Sequence, residues 1–207
     1  MTLAGLLIAC TTASTAAPRA PTPREQAAAQ LLALAKLERL DHDRIAAVLG
    51  TKIDGAATVT PYRTDRSLPP TPLFSGIELA EAGDWRALTL TPAASLELTL
   101  QDLEPHLLDA RYAMDVQTVH HSNGFGIDGV LHHFAVNRNE LVVDIAYASH
   151  AATMRAAGTA AFGDGIDQVS DRARRDLVRS ITVTSKQRVP AEAPTLRKFQ
   201  RWAVEHP

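Results

Sequence analysis

The chain has little of what small disulfide scaffolds, zinc modules and membrane-spanning proteins depend on. One cysteine among 207 residues excludes an intrachain disulfide and a cysteine-rich zinc site. No apolar run approaches the roughly 20 residues that a spanning helix needs. An excess of one charge is also absent, because 21 basic and 23 acidic side chains give a net charge of −2. A nucleic-acid binder is usually clearly basic, so we expect neither a polytopic membrane protein nor a nucleic-acid-binding protein.

What is present favours a folded domain. Hydrophobic residues make up 45% and charged residues 21% of the chain, as in ordinary soluble domains. A chain of this length can bury a sizeable core. We expect one α+β domain over residues 25–189, followed by a basic C-terminal tail or helix over residues 190–207.

The single cysteine, Cys10, ends a short apolar stretch that reads Leu7-Ile8-Ala9-Cys10. This resembles the lipobox of bacterial lipoproteins, although no Lys or Arg precedes the apolar run as it does in most signal peptides. The resemblance implies that residues 1–9 are a signal peptide and that Cys10 becomes the lipidated N-terminus. Diacylglycerol would be attached to its thiol and an acyl chain such as palmitate to its amino group. The alternative is a buried structural cysteine on an N-terminal helix.

The resemblance also implies a location. Thr11 rather than Asp follows the cysteine, which in Gram-negative lipoproteins implies sorting to the outer membrane, facing the periplasm. Three acyl chains exceed what stable anchoring requires. Residues 10–24 are rich in Thr, Ala and Pro, a composition that cannot bury enough apolar surface to fold. We expect them to form a flexible tether behind the lipid anchor.

Helical periodicity and capping residues predict several helices. A first helix is expected over residues 23–40 and a second over residues 43–49, ended by Gly50. The capping-box pattern from Thr99 to Asp102 predicts a short helix over residues 100–108. Basic helices are expected over residues 171–179 and 196–205.

Alternating apolar residues predict strands, and these give the fold class. The two best rows are Val130, His132, Phe134 and Val136, followed by Leu141, Val143, Ile145 and Tyr147, which are expected to face the core. We therefore expect an α+β fold with N-terminal helices and an antiparallel β-meander. The expected strands cover residues 57–62, 73–79, 85–91, 112–121, 129–136, 141–148 and 181–189.

A faint internal symmetry suggests two helix-then-strands units. Residues 43–50 and 102–109 occupy matching helix positions, each ahead of a group of strands. This is similar to the helix-then-meander units of small envelope-assembly lipoproteins and of the β-lactamase inhibitor protein. The resemblance implies a binding or assembly role rather than catalysis.

Four of the eight histidines lie within fourteen residues, at positions 120, 121, 132 and 133. Imidazole is a common metal ligand, so two of them with Asp128 offer one metal-dependent interpretation. Neighbours in a strand point to opposite faces, which argues against a shared site. We favour a structural role, with His120 and His132 in the core and His121 and His133 facing solvent. No metal ligand, cofactor or catalytic residue is predicted, and Ser122 lacks the elbow motif of a hydrolase.

Between these pairs lies a glycine-rich segment, residues 122–129, that we interpret as a long hairpin loop. Phe125 is expected to anchor a protein partner at its centre, and the alternative is that its ring folds back onto the sheet. Asn123 and Asp128 would form the polar rim. The predicted partner-binding residues are Asn123, Phe125, Asp128, His121 and His133.

Charge is unevenly distributed along the chain. Residues 1–170 hold 12 basic and 19 acidic side chains, whereas residues 171–207 hold 9 basic and 4 acidic. Such asymmetry can mark contact with lipid headgroups, lipopolysaccharide or an acidic partner. A solvated helix face that pairs with the acidic body would give the same pattern.

Three classes of function fit these features. The first is a lipid-anchored periplasmic binding protein, similar to the immunity proteins that neutralise periplasm-acting antibacterial effectors. The second is an envelope-assembly or structural lipoprotein, and the third is a metal-dependent hydrolase that uses the histidine-rich hairpin. We rank the immunity or inhibitor function first, with a secreted effector as protein partner and the membrane reached through the lipid anchor.

Overall fold

A computed structural model describes residues 19–54, 56–121, 124–146 and 177–205. Helices and one antiparallel sheet make up this part of the chain, which confirms the predicted α+β class. Helices α1 and α2 come first, α3 lies between the two groups of strands, and α4 ends the described chain. Their bounds are Pro23–Ala35, His42–Leu49, Leu100–Leu103 and Leu196–Glu205. The strands β1 to β8 are Ala57–Val59, Thr64–Leu68, Phe74–Ala82, Trp85–Pro92, Arg111–His121, Gly124–Val136, Asn139–Ala146 and Val178–Thr184.

The sheet consists of two four-stranded meanders joined side by side. Its order is β1-β2-β3-β4-β8-β7-β6-β5, and every pair of neighbours is antiparallel. Each meander follows a short helix, α2 in the first half and α3 in the second. The arrangement agrees with the two helix-then-strands units that the sequence suggested. The last strands of the two units, β4 and β8, meet at the centre, and β1 and β5 form the edges.

One face of the sheet carries the hydrophobic core. Strand register aligns apolar side chains across six strands, and helices α1 to α3 contribute leucines to the same cluster. The expected rows from β6 and β7 belong to this core, apart from Tyr147, which lies outside the described residues. The two longest rows across the sheet are Leu79, Leu88, Val183, Leu141, Phe134, Tyr112 and Ile77, Leu90, Ile181, Val143, His132, Met114.

Helix α1 begins where the sequence predicts but ends five residues earlier. Thr22 and Glu25 form a capping box at its start, with Pro23 in the first turn. At the other end, the Asn139 side-chain amide donates to the carbonyls of Ala35 and Leu37 at 3.0 and 2.6 Å. These carbonyls would otherwise lack helical partners. The turn between β6 and β7 therefore fixes the end of a helix about 100 residues earlier in the chain.

Helix α2 is held to the first meander by an ion-pair network. Gly50 ends the helix with a φ of 68°, a conformation that favours glycine. Near the helix start, Arg86 donates to Asp41 at 2.9 Å and to Glu81 at 3.0 Å, and His42 lies 3.0 Å from Glu81. The network lowers the pKa of Glu81 against the opposing effect of its burial.

Several predicted boundaries are wrong. Strand β2 was not predicted, because its residues are mostly polar and alternate only weakly. The predicted helix over residues 100–108 is α for one turn and then 3₁₀ over Glu104–His106. Val178 and Arg179, expected to end a basic helix, lie in β8 instead, and residues 171–176 are outside the described part.

The chain after β8 wraps the end of the sheet before α4 begins. We call residues 185–195 the C-terminal strap. Its Pro190 carbonyl accepts from Arg111 at 2.8 Å, and its Pro194 carbonyl accepts from the Tyr112 backbone N–H at 2.8 Å. Leu196 is then buried, and the Phe199 ring packs on Tyr112 with 4.8 Å between centroids. Among the described helices, none is both long and apolar enough to span a membrane.

Candidate binding surface

The second face of the sheet carries small and polar side chains. We call it the open face, because none of its side chains belongs to the core cluster that the described helices cover. Side chains alternate along each strand, so this face is opposite to the apolar rows. It runs without a break across the join of the two meanders. Its central members are Ala80, Ala87, Thr89, Thr182, Thr184, Val142, Glu140, Asp144, His133 and Ala113.

Threonines line the join of the two meanders. The Thr89 and Thr182 hydroxyls lie 3.0 Å apart across β4 and β8, and the Trp85 indole N–H donates to the Thr184 hydroxyl at 3.1 Å. Thr89 and Thr182 are half-buried, and Ala87 and Thr184 are buried. The join is therefore lined by short side chains, and charged residues lie on both sides of it. On the β1–β4 side, Glu78 pairs with Thr89 and Asp65 pairs with Ala80.

A histidine between two carboxylates lies on the β5–β8 side of the join. His133 Nδ1 is 2.8 Å from Glu140 Oε1, and His133 Nε2 is 3.3 Å from Asp115 Oδ2. Glu140 is fully buried and His133 is 6% exposed, whereas the Asp115 side chain is 73% exposed. Register explains the contact, since His133 pairs with Val142 and Glu140 is its diagonal neighbour on the same face. The ring therefore connects a buried carboxylate to one at the surface.

Glu140 also holds the C-terminal strap. Its Oε2 accepts the backbone N–H groups of Arg188 and Val189. Hydrogen bonds from His133 and from these two N–H groups lower the pKa of Glu140, although burial acts to raise it. Gln187 adds to the attachment by donating to the carbonyls of Asn137 and Asn139. The open face is therefore bounded at this end by an anchored segment.

An arginine lies flat on the same face at the opposite end of β7. Arg179 donates to both carboxylate oxygens of Asp144, at 2.9 and 3.0 Å, and to Gln117 at 3.1 Å. Gly129 lies beneath the pair. A Cβ at that position would lie 3.0 Å from the Ile145 carbonyl oxygen and 3.2 Å from the Arg179 guanidinium. Glycine is thus needed here for close approach and not for a turn.

The structure agrees with the predicted position of His132 but not with that of His133. His132 is 1% exposed in the core, as predicted, and its Nδ1 lies 2.8 Å from the Tyr112 hydroxyl. His133 does point to the opposite face, but the prediction that it faces solvent is wrong. The residue is 6% exposed and its ring is hydrogen-bonded to Glu140, which also holds the strap, and strand alternation alone does not report such cross-strand and long-range contacts. The side chains of His120 and His121 are outside the described part.

The predicted recognition loop is largely a strand. Gly124 already pairs with His121, and the pairing continues through Phe125 with His120 and Ile127 with Thr118. The predicted loop over residues 122–129 is therefore wrong, because an 11-residue β5 offers a partner for almost all of it. Pairing skips Asp128, which marks a β-bulge.

What the structure has instead is a projecting hairpin, which we call the β5–β6 arm, residues 118–121 and 124–128. Strand β7 ends opposite Gly129, so among the described residues the arm pairs with itself and with no further strand. Phe125, Asp128 and His121 have their backbones in this arm. Asn123 and the lipidation candidate Cys10 lie outside the described residues.

In the described part, no group of three or more His, Cys, Asp or Glu side chains is arranged to hold a metal ion. His133 and its two carboxylates make one imidazole–carboxylate chain, and the described contacts place no hydroxyl or thiol on the ring. Glu140 can therefore orient the His133 ring and anchor the strap.

Comparison with known proteins finds no match for the chain among family models, curated proteins or solved structures.

Sequence reasoning missed the main members of the open face. Asp144, Arg179 and Glu140 were not singled out as site residues. A signal for Asp144 was available, because it alternates with Val143 and Ile145 and so had to lie opposite the core. The contacts of Glu140 with residues nearly 50 positions away had no comparable local signal.

Proposed function

We propose that the protein is a lipid-anchored periplasmic binding protein that neutralises a periplasm-acting antibacterial effector by protein–protein binding. The main support is the open face, a continuous sheet surface whose centre is lined by the half-buried side chains of Thr89 and Thr182. Protein interfaces of standard size bury a broad surface with a polar rim. The lipobox-like segment that ends at Cys10 supports a place at the membrane, facing the periplasm.

The second support is the position of the β5–β6 arm. Its backbone extends beyond the end of β7 and contains Phe125, an aromatic residue of the type that anchors protein partners. At the opposite end, the strap is fixed by Glu140 and Gln187. A rigid surface bounded at both ends loses little conformational entropy when it binds.

A competition experiment tests this function directly. A strain that lacks the gene is grown against the parent strain, and we expect it to be inhibited by contact with its sibling cells. Protection should return with the wild-type gene. Failure of the parent to inhibit the deletion strain would reject the immunity function, and raised detergent sensitivity in the deletion strain grown alone would favour the envelope-assembly alternative.

Variants locate the binding surface in the same assay. Thr89→Arg places a long charged side chain at the centre of the open face, so we expect loss of protection at unchanged protein level and melting temperature. Ala33→Arg is the matched control, because Ala33 is exposed on α1, away from this face. If Thr89→Arg protects as well as Ala33→Arg, the open face is not the binding surface.

A further inference from the structure

Helix α4 has one face in the core and one at the surface. Leu196 is 3% exposed, and the Phe199 ring packs against Tyr112. Lys198, Arg201 and Trp202 follow at spacings of three and four residues on the outer side of the helix. The Trp202 ring lies 6.4 Å from the Phe199 ring but is 48% exposed, and Lys198 and Arg201 are exposed beside it. The chain thus presents a tryptophan flanked by cations.

The surroundings of this face are also basic. The strap and α4 together, residues 185–205, contain two acidic residues, Glu192 and Glu205, against five basic ones: Lys186, Arg188, Arg197, Lys198 and Arg201. Lys186 and Arg188 are exposed on the strap that leads into the helix. Asp109 pairs with Arg197 at 3.1 Å and neutralises that one cation. Within the described part of the chain, no carboxylate forms an ion pair with Lys186, Arg188, Lys198 or Arg201. The net charge of the whole chain is nevertheless negative.

We propose that this face of α4 rests on an anionic lipid bilayer. Tryptophan prefers the boundary between headgroups and acyl chains, where its ring is apolar on one side and its N–H can stay hydrated. Each Lys or Arg near an anionic surface adds about 1 kcal/mol of attraction, which corresponds to about a fivefold gain in partitioning. A tryptophan among cations also suits an acidic protein partner, and that occupant is the outcome that the vesicle experiments must exclude.

The membrane contact does not use the open face. Phe199 packs on Tyr112, which belongs to the core side of the sheet, so α4 lies on that side. The bilayer would contact the protein on the helix side and leave the open face free. This inference rests on α4 alone and does not depend on effector binding or on lipidation.

Vesicle sedimentation tests the contact. The full chain carrying Cys10→Ser, so that no acyl chain contributes, is mixed with vesicles of phosphatidylcholine alone or with an equal part of phosphatidylglycerol. We expect sedimentation with the anionic vesicles at 0.1 M salt, release at 0.5 M, and little binding to phosphatidylcholine. Equal binding to both vesicle types would overturn the proposal.

Two double variants separate this face from general charge. Lys198→Glu with Arg201→Glu should weaken partitioning by at least about twentyfold, since two attractive charges are lost. Arg39→Glu with Lys52→Glu makes the same change of charge at exposed positions in the N-terminal half. Its partitioning to anionic vesicles should stay within about twofold of that of the protein with an unmodified α4. Equal loss in both double variants would overturn the assignment to α4.

The wavelength of tryptophan emission is a second measurement, and a change of charge alone does not alter it. Anionic vesicles should shift the emission of the protein to shorter wavelength, and Trp202→Phe should abolish the shift while Trp85 remains as the unshifted indole. Persistence of the shift in Trp202→Phe would place the contact elsewhere. Binding to soluble heparin without binding to vesicles would reject the bilayer and indicate an acidic macromolecular partner.

Discussion

At the scale of single residues, two buried polar pairs on opposite faces of β6 determine much of the local order. His132 with Tyr112 lies among the core side chains, and His133 lies on the opposite face with Glu140, which binds the strap. A buried polar group costs stability unless it has a hydrogen-bond partner. The Nδ1 of each histidine therefore has a hydrogen-bond partner on a neighbouring strand.

Removing the Tyr112 hydroxyl should lower stability measurably. Tyr112→Phe keeps the ring that packs on Phe134 and Phe199 but removes the partner of His132 Nδ1. We expect a loss of about 1–2 kcal/mol in the free energy of unfolding, measured by urea denaturation. Tyr62→Phe is the control, because Tyr62 is 88% exposed and should change stability little. Equal effects in the two variants would show that the buried hydroxyl contributes nothing.

Glu140 should make the protein sensitive to acid. Its pKa is lower in the folded state than its ordinary value of 4.5, so the stabilisation is present above that value and is lost as pH falls through the folded pKa. Glu140→Gln should lower the free energy of unfolding at pH 7 by about 2 kcal/mol or more. It should also flatten the loss of stability below pH 4.5.

The exposed Glu38→Gln is the control for this measurement. It should leave both the stability at pH 7 and its fall in acid unchanged. Glu81, whose pKa is also lowered, will keep part of the acid dependence in every variant. An acid profile of Glu140→Gln that overlays the wild type would show that the buried carboxylate is not the titrating group.

At the scale of elements, the β5–β6 arm is the part whose role most needs a test. Phe125→Ala should cost about 2 kcal/mol of affinity for the effector, roughly thirtyfold, if the ring contacts the partner. The melting temperature should then change little. A ring that packs on the protein itself would instead lower the melting temperature by several degrees. Measuring both quantities on one sample distinguishes these outcomes, and intact affinity with lost stability would reject the recognition role.

Several elements follow directly from local sequence signals. The start of α1, the Thr99 capping box, the glycine stop after α2 and the whole of α4 were predicted within one or two residues. Each signal acts over three or four residues, so it needs no knowledge of the rest of the fold. Strand β2 gave no such signal, because its residues are mostly polar and only Leu68 is buried.

At the scale of the whole molecule, lipid attachment predicts where the protein is found in the cell. Cys10→Ser should remove the anchor and release the protein into the soluble periplasmic fraction, because the α4 contact alone is reversible and salt-sensitive. Fractionation at 0.5 M salt removes that second contact and isolates the effect of the acyl chains. Protein that still sediments with membranes under these conditions would contradict the lipobox interpretation.

The sequence by itself determined the α+β class, the repeated helix-then-strands order and the inward rows of β6 and β7. Alternation and capping encode these features in neighbouring residues. Only the tertiary structure decided that α1 stops at Ala35, that residues 124–129 are strand and that His133 is buried. The deciding partners were Asn139 for the helix end, β5 for the strand and Glu140 with the strap for the histidine. These partners lie up to about 100 residues away or depend on a cross-strand register, so one segment of sequence does not contain the information.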